Sequence, residues 1–152
     1  MKKNIAQGFT LIEILLVIAI LAILASVVIV AINPAKQFGE AQDAQRRNDV
    51  LSILNSTHQY AIDNNGLYPD TIPFGGDCMS EGLDICEYQY PCVGGINLDV
   101  LADNQLYLTD IPSDPIVGGA DITGYKMLIT NDGRVSVCAP STYAANVIQV
   151  TQ

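Results

Sequence analysis

The sequence predicts an α+β protein in which a long N-terminal helix, first apolar and then amphipathic, packs on a small antiparallel β-sheet with disulfide-stapled loops. Three observations predict this arrangement. No side chain from Ile14 to Ala35 is charged. Beyond Glu40, apolar residues recur at three- and four-residue steps to about Asp63. Near the C-terminus, two strand-like segments, the second of them alternating, flank Asn131-Asp132-Gly133, a turn signal typical of a β-hairpin.

The uncharged segment has the length of a membrane span. As a helix, residues 14–35 would extend roughly 33 Å, enough to cross a bilayer. A removable secretory signal would be cut beside small residues such as Ala25 or Ser26, after a core of about 7–15 apolar residues. Here the apolar sequence continues to Ile32. We therefore interpret the segment as a retained anchor, with Lys2 and Lys3 holding the residues before it in the cytoplasm.

The residues before the anchor carry a specific signal. The chain begins M-K-K-N-I-A-Q-G and continues F-T-L-I-E, which places one carboxylate, Glu13, at the head of the apolar helix. A charged group at the centre of a membrane helix costs about 2.5–3.5 kcal/mol. This stretch resembles the processing signal of type IV prepilins and pseudopilins. The resemblance implies cleavage between Gly8 and Phe9, N-methylation of Phe9, and an assembly role for Phe9 and Glu13.

The chemistry of these residues suits assembly. Cleavage would expose a cationic amine at Phe9, and opposite charges attract far more strongly in a low dielectric than in water. Glu13 would neutralise the amine of its own helix or of a staggered neighbour. The predicted organisation is a leader (1–8), a transmembrane and filament-core helix (9–35), and an exported globular domain (36–152).

Asn33-Pro34 interrupts the apolar pattern. Proline inside a helix removes a backbone hydrogen bond and usually kinks the helix. We predict a bend or local melting at Pro34, aided by Gly39. The alternative is that one helix ends here and another begins. The second helical stretch should stop after about residue 63, at Asn64-Asn65-Gly66.

The rest of the exported domain divides into two parts. Residues 66–97 are rich in Gly, Pro and Cys and predict a stapled loop. Residues 98–152 predict the sheet region, opened by a short helix at 98–106. Within it, Gly124–Thr130 and Arg134–Ala139 should form a hairpin, and Asn146–Val150 a last strand.

Four cysteines, at 78, 86, 92 and 138, all follow the anchor. An even number of cysteines in an exported, loop-rich region predicts two disulfides. A zinc site is disfavoured because the spacing includes no close C-x-x-C pair. Four cysteines allow three pairings. We favour Cys92 with Cys138 and Cys78 with Cys86.

Two further fragments, N-G-L-Y-P at 65–69 and Y-L-T-D-I-P-S-D-P at 107–115, resemble elements of major pseudopilins. Those proteins bind calcium in the loop after the proline-rich element. The resemblance makes Asp110, Asp114 and Asp121 candidate calcium ligands, because calcium is coordinated by several oxygen atoms. No other cofactor is predicted.

Charge and motifs exclude several functions. The net charge is −9, and no basic run follows the leader, which disfavours nucleic-acid binding by the monomer. The sequence contains no phosphate loop, dinucleotide fingerprint or nucleophile elbow, and it has one histidine. We therefore expect no enzymatic activity.

The resemblance implies a structural subunit of a type IV pilus, a homo-oligomeric filament that serves adhesion, motility or DNA uptake. It also implies a prepilin peptidase and N-methyltransferase, an inner-membrane assembly platform and a cytoplasmic motor as partners. The subunit would lie in the lipid of the cytoplasmic membrane before assembly and at the cell surface afterwards. Two alternatives remain: a major pseudopilin of a type II secretion system, and a single-span tethered binding protein or enzyme.

Overall fold

The computed structural model describes residues 8–90 and 93–152. The chain divides into two compact units, residues 1–38 and 39–152. The fold class is α+β, as the sequence predicted. In chain order the elements are α1 (Leu11–Ile32), α2 (Pro34–Asp63), β1 (Phe74–Gly75), α3 (Cys78–Glu81), β2 (Leu83–Cys86), α4 (Asp99–Ala102), β3 (Ile122–Thr130), β4 (Val135–Ala139) and β5 (Ile148–Thr151).

The first unit consists mainly of α1. Its 22 residues are almost all Leu, Ile, Val and Ala, and every side chain along it is exposed. Within the described ranges it is the one helix long and apolar enough to cross a membrane. Because a helix apolar on all sides has no polar face to turn toward water, its surroundings must be apolar.

The boundary between the two helices lies at Asn33. This residue adopts a left-handed conformation, with φ 48° and ψ 77°, which asparagine tolerates better than most side chains. Pro34 is then the first residue of α2, where its missing N–H removes no helical hydrogen bond. Asn33 also caps α2, since its side-chain Oδ1 accepts a hydrogen bond from the Lys36 N–H at 3.4 Å. The alternative of two successive helices thus describes the chain better than one bent helix.

Gly39 does not contribute to that interruption, because α2 continues through it. The glycine is buried, and the ring of Tyr143 occupies the space a side chain would need. A Cβ at position 39 would clash with the ring atoms of Tyr143. Gly39 therefore serves close packing rather than bending, which corrects its predicted role as a kink residue.

The second unit has a single main core. From α2, Val50, Ile53 and Leu54 pack against buried residues of the sheet, including Tyr125 and Val137. All five side chains are fully buried. This packing of an amphipathic helix on one sheet face is the arrangement that the periodicity predicted.

The sheet has the strand order β1-β3-β4-β5, and β2 also pairs with β3. The predicted hairpin is β3–β4, antiparallel, with Lys126 opposite Cys138 and Ile129 opposite Val135. Strand β5 pairs antiparallel with β4. The exception to the predicted antiparallel sheet is β1, which pairs with β3 in parallel.

The disulfide arrangement differs from the favoured pairing. Cys78 is bonded to Cys138, with 6.1 Å between their Cα atoms, and the bond joins α3 to β4. Both favoured pairs, Cys92 with Cys138 and Cys78 with Cys86, are therefore wrong. Cys86 is also disulfide-bonded, and Cys92 lies outside the described residues. The reason is topological. Strand β2 pairs with the edge of β3 opposite β4, and α3 directly precedes β2 in the chain. Cys78 of α3 is thereby buried beside Leu128 and Cys138.

Candidate assembly site

Three hydrogen bonds between Thr10 and Glu13 close the head of α1. Thr10 is the N-cap residue, and its hydroxyl oxygen accepts from the Glu13 backbone N–H at 3.3 Å. In return, Glu13 Oε2 accepts from the Thr10 backbone N–H and from the Thr10 hydroxyl, each at 2.9 Å. This capping box satisfies backbone donors that a helix start otherwise leaves open.

The capping box fixes the position of the Glu13 charge. The carboxylate lies at the positive end of the helix dipole and is bonded to the residue directly after Phe9. Phe9 itself is 85% exposed, and Gly8 is exposed as well. Both residues that flank the predicted Gly8–Phe9 cleavage site are therefore exposed in the isolated chain. Cleavage there and methylation of Phe9 stay predictions.

A second polar arrangement lies inside the domain, and we call it the Arg46 cluster: Asp43, Arg46 and Asp114. These side chains are 1–4% exposed. Arg46 Nε donates to Asp114 Oδ2 at 2.6 Å and Nη2 donates to Asp114 Oδ1 at 3.0 Å, a two-pronged ion pair. Arg46 Nη1 donates to Asp43 Oδ1 at 2.9 Å.

Backbone groups complete the Arg46 cluster. Asp114 Oδ1 also accepts from the N–H groups of Ile116 and Val117, at 2.8 and 3.1 Å. Asp43 accepts from the Tyr143 N–H at 2.9 Å and from the Asn146 amide at 3.3 Å. The cluster thereby fastens two loops, around residues 114–117 and 143–146, to α2.

The ionisation states follow from these contacts. Burial alone would raise the pKa of Asp43, but hydrogen bonds from Tyr143, Asn146 and Arg46 outweigh it and hold the pKa below its ordinary value. Burial opposes ionisation of Asp114 too, yet Arg46 and the two backbone N–H groups lower its pKa. Hydrogen bonding to Asp114 raises the pKa of Arg46. All three groups are therefore charged near neutral pH.

One more buried polar contact lies beside the cluster. The hydroxyl of Tyr125 donates to Asp49 Oδ2 at 2.7 Å. Burial, followed by the Asp49 hydrogen bond and charge, raises the pKa of Tyr125 well above its ordinary value. This tyrosine consequently stays protonated and ties α2 to β3.

The three candidate calcium ligands lie in two different environments. Both carboxylate oxygens of Asp114 are engaged by Arg46, whereas Asp110 and Asp121 are exposed. Within residues 8–90 and 93–152, no group of three or more His, Cys, Asp or Glu side chains could hold a metal ion. Calcium needs six to eight oxygen ligands at about 2.3–2.6 Å. Asp114, whose carboxylate already pairs with Arg46, therefore does not fit as a calcium ligand, whereas calcium binding at Asp110 and Asp121 stays a prediction.

Sequence reasoning missed the Arg46 cluster. Charged residues such as Asp43 and Arg46 in an amphipathic helix are ordinarily assigned to its solvated face. The signal was the spacing. Residues 39, 43, 46, 50, 53 and 57 follow one another at steps of three and four, so Asp43 and Arg46 lie on the buried face with Val50 and Ile53.

The N-terminal segment of the chain matches a known family of sequences. Residues 3–29 match the model of the prokaryotic N-terminal methylation motif. That span includes the predicted cleavage site, Glu13 and most of α1. No solved structure matches the chain significantly.

Three proteins similar to this chain carry the same name. The chain is 39% identical over 71 residues to a "Type II secretion system core protein G" of Aeromonas hydrophila, covering 47% of this chain and 48% of that protein. It is 31% identical over 112 residues to the protein of that name in Escherichia coli K12, covering 72% and 66%. It is 39% identical over 72 residues to the protein of that name in Vibrio cholerae, covering 47% of this chain and 47% of that protein. The chain thus spans about half to two thirds of the length of these relatives.

Proposed function

The chain belongs to the family of type IV pilins and pseudopilins, and on that premise we propose that it is a structural subunit of a secretion pseudopilus. The names of its relatives favour this alternative over the adhesive or motile pilus that the leader predicted. The proposed activity is polymerisation rather than catalysis.

One observation carries the proposal: Thr10 holds the Glu13 carboxylate at the head of a helix whose side chains are all exposed. An apolar helix gains little by leaving lipid for a bundle of similar helices, so polar pairs must set the register. After cleavage, the Phe9 amine would be such a partner. Methylation preserves its positive charge, and the carboxylate of a neighbouring copy would then pair with it.

The proposed location and partners of the chain follow from its cleavage and assembly. The precursor is a membrane-anchored chain, and its assembly belongs to a pilus or secretion machine. We propose a prepilin peptidase that cuts and methylates the chain, an assembly platform in the membrane, and a cytoplasmic motor that drives extension.

Mass spectrometry of the N-terminal peptide tests processing. We expect the isolated chain to begin at Phe9 with an added methyl group. A chain that begins at Met1, or near Ser26 without α1, would overturn the proposal. Deletion of the gene separates the two filament types: a secretion defect with long surface filaments intact supports the pseudopilus, whereas loss of long filaments indicates a type IV pilus.

Substitution of Glu13 tests the charge itself. Glu13→Gln keeps a side-chain oxygen that can accept from Thr10, while Glu13→Ala removes both the cap and the charge. Both variants should insert and be processed, and both should fail to polymerise in crosslinking and microscopy. Normal filaments from Glu13→Gln would show that capping, not charge pairing, is what assembly requires.

A further inference from the structure

We propose that the Arg46 guanidinium supplies, from within the chain, the positive charge that a bound calcium ion would supply to the Asp114 loop, residues 110–121. The domain would accordingly fold independently of calcium. The inference concerns the domain interior and does not depend on which filament the protein forms.

The first step is the saturation of Asp114. Its two carboxylate oxygens accept four hydrogen bonds, two from Arg46 and two from backbone N–H groups within the loop. A carboxylate in this state has few lone pairs left to offer a metal ion. The loop is further closed on itself, since the Asp114 N–H donates to the Thr123 carbonyl at 2.7 Å and the Gly119 N–H donates to the Ile122 carbonyl at 2.9 Å.

The second step is the balance of buried charge. Asp43 and Asp114 are 2% and 4% exposed, and a carboxylate removed from water is stable only when paired and hydrogen-bonded. Arg46, at 1% exposure, directs one nitrogen at Asp43 and two at Asp114. A guanidinium suits this position because its planar array of donors can serve two carboxylates at once.

The third step is mechanical. Through Asp114 the guanidinium holds the Asp114 loop on α2. Through Asp43 it supports the turn at Tyr143 and Asn146, and the Tyr143 ring closes over Gly39. One internal cation therefore organises two loops that precede and follow the β3–β4 hairpin. A divalent ion bound by loop oxygens would likewise hold a loop in place, but from outside the helix.

Thermal unfolding of the full chain in detergent tests the inference, followed by near-ultraviolet circular dichroism of the seven tyrosines. We expect the same midpoint in excess EGTA and in millimolar calcium. Because a ligand that binds only the folded state must raise the midpoint, an upward shift in calcium would overturn the proposal.

The matched variants are Arg46→Met and Arg47→Met, which remove neighbouring arginines from a buried and an exposed position. Arg46→Met should raise the unfolding equilibrium constant by at least about a hundredfold, because it leaves two buried carboxylates unpaired. Arg47→Met should change it little. Equal stability of the two variants would contradict the proposal.

A third variant covers the case in which Arg46→Met does not fold. Asp43→Asn/Arg46→Met/Asp114→Asn removes all three charges together, and replacing every partner of a buried ion pair is far better tolerated than removing one. It should be more stable than Arg46→Met and indifferent to calcium. A triple variant no more stable than Arg46→Met would show that the guanidinium acts by packing alone.

Discussion

The helix α1 and the domain of residues 39–152 are both rich in Leu, Ile and Val, yet they use these side chains in opposite ways. In α1, Leu21 is 58% exposed and Val30 is 84% exposed. In the domain, Leu54 and Val137 are fully buried. The same residue types thus form a core in one region and a surface in the other. The domain carries its stability within itself, whereas α1 depends on lipid or on further copies.

The largest expected effect comes from the covalent link within the domain. Replacing both Cys78 and Cys138 with Ser removes a bond between residues 60 positions apart, which should lower the free energy of unfolding by about 4 kcal/mol. Urea titration of the full chain in detergent measures this. Far-ultraviolet helicity from α1 should persist through the transition, since no α1 side chain belongs to the domain core and the detergent solvates the helix.

The double variant is more informative than reduction, because Cys86 is disulfide-bonded as well. A loss well below about 1 kcal/mol would mean that the core alone holds α3 against β4. The two regions would then differ in burial but not in covalent support.

The next effect compares one substitution in both regions. Leu54→Ala should destabilise the domain by about 2–5 kcal/mol, because it removes buried methyl groups and leaves a cavity. Leu21→Ala should leave the urea midpoint of the domain unchanged. Leu51→Ala is the control on the same helix as Leu54, since Leu51 is 42% exposed and should cost well under 2 kcal/mol. A lower domain midpoint in Leu21→Ala would show that α1 contributes to domain stability.

Local sequence signals located most of the secondary structure. The uncharged segment forms most of α1, and the amphipathic stretch forms most of α2. Helix α2 ends at Asp63, as predicted. The stop is physical: Asn65 and Gly66 have φ of 59° and 83°, a left-handed pair that only such residues adopt readily. The hairpin lies within one or two residues of its predicted bounds, because Asn131-Asp132-Gly133 is a turn signal in its own right.

Long-range partners were not predictable in the same way. Spacing along the chain carries no information about which cysteine meets Cys138, because that depends on β2 pairing beside β3. The salt bridge between Arg46 and Asp114 joins residues 68 positions apart, and each residue alone resembles a solvated charge. The head of α1 was accessible to prediction because Thr10 and Glu13 are only three residues apart.

The smallest expected effect is a pH dependence confined to the domain. Asp43 and Asp114 have lowered pKa values in the folded state, so an unfolded chain, with ordinary values near 4, binds protons first as the pH falls. Their contribution is complete above about pH 4 and is lost as the pH falls through the folded pKa values. Urea titrations between neutral pH and pH 3 should therefore show a steeper loss of stability in the wild type than in Asp43→Asn/Arg46→Met/Asp114→Asn. The exposed carboxylates are common to both proteins and cancel in the difference, so parallel pH profiles would mean that the Arg46 cluster does not contribute to acid sensitivity.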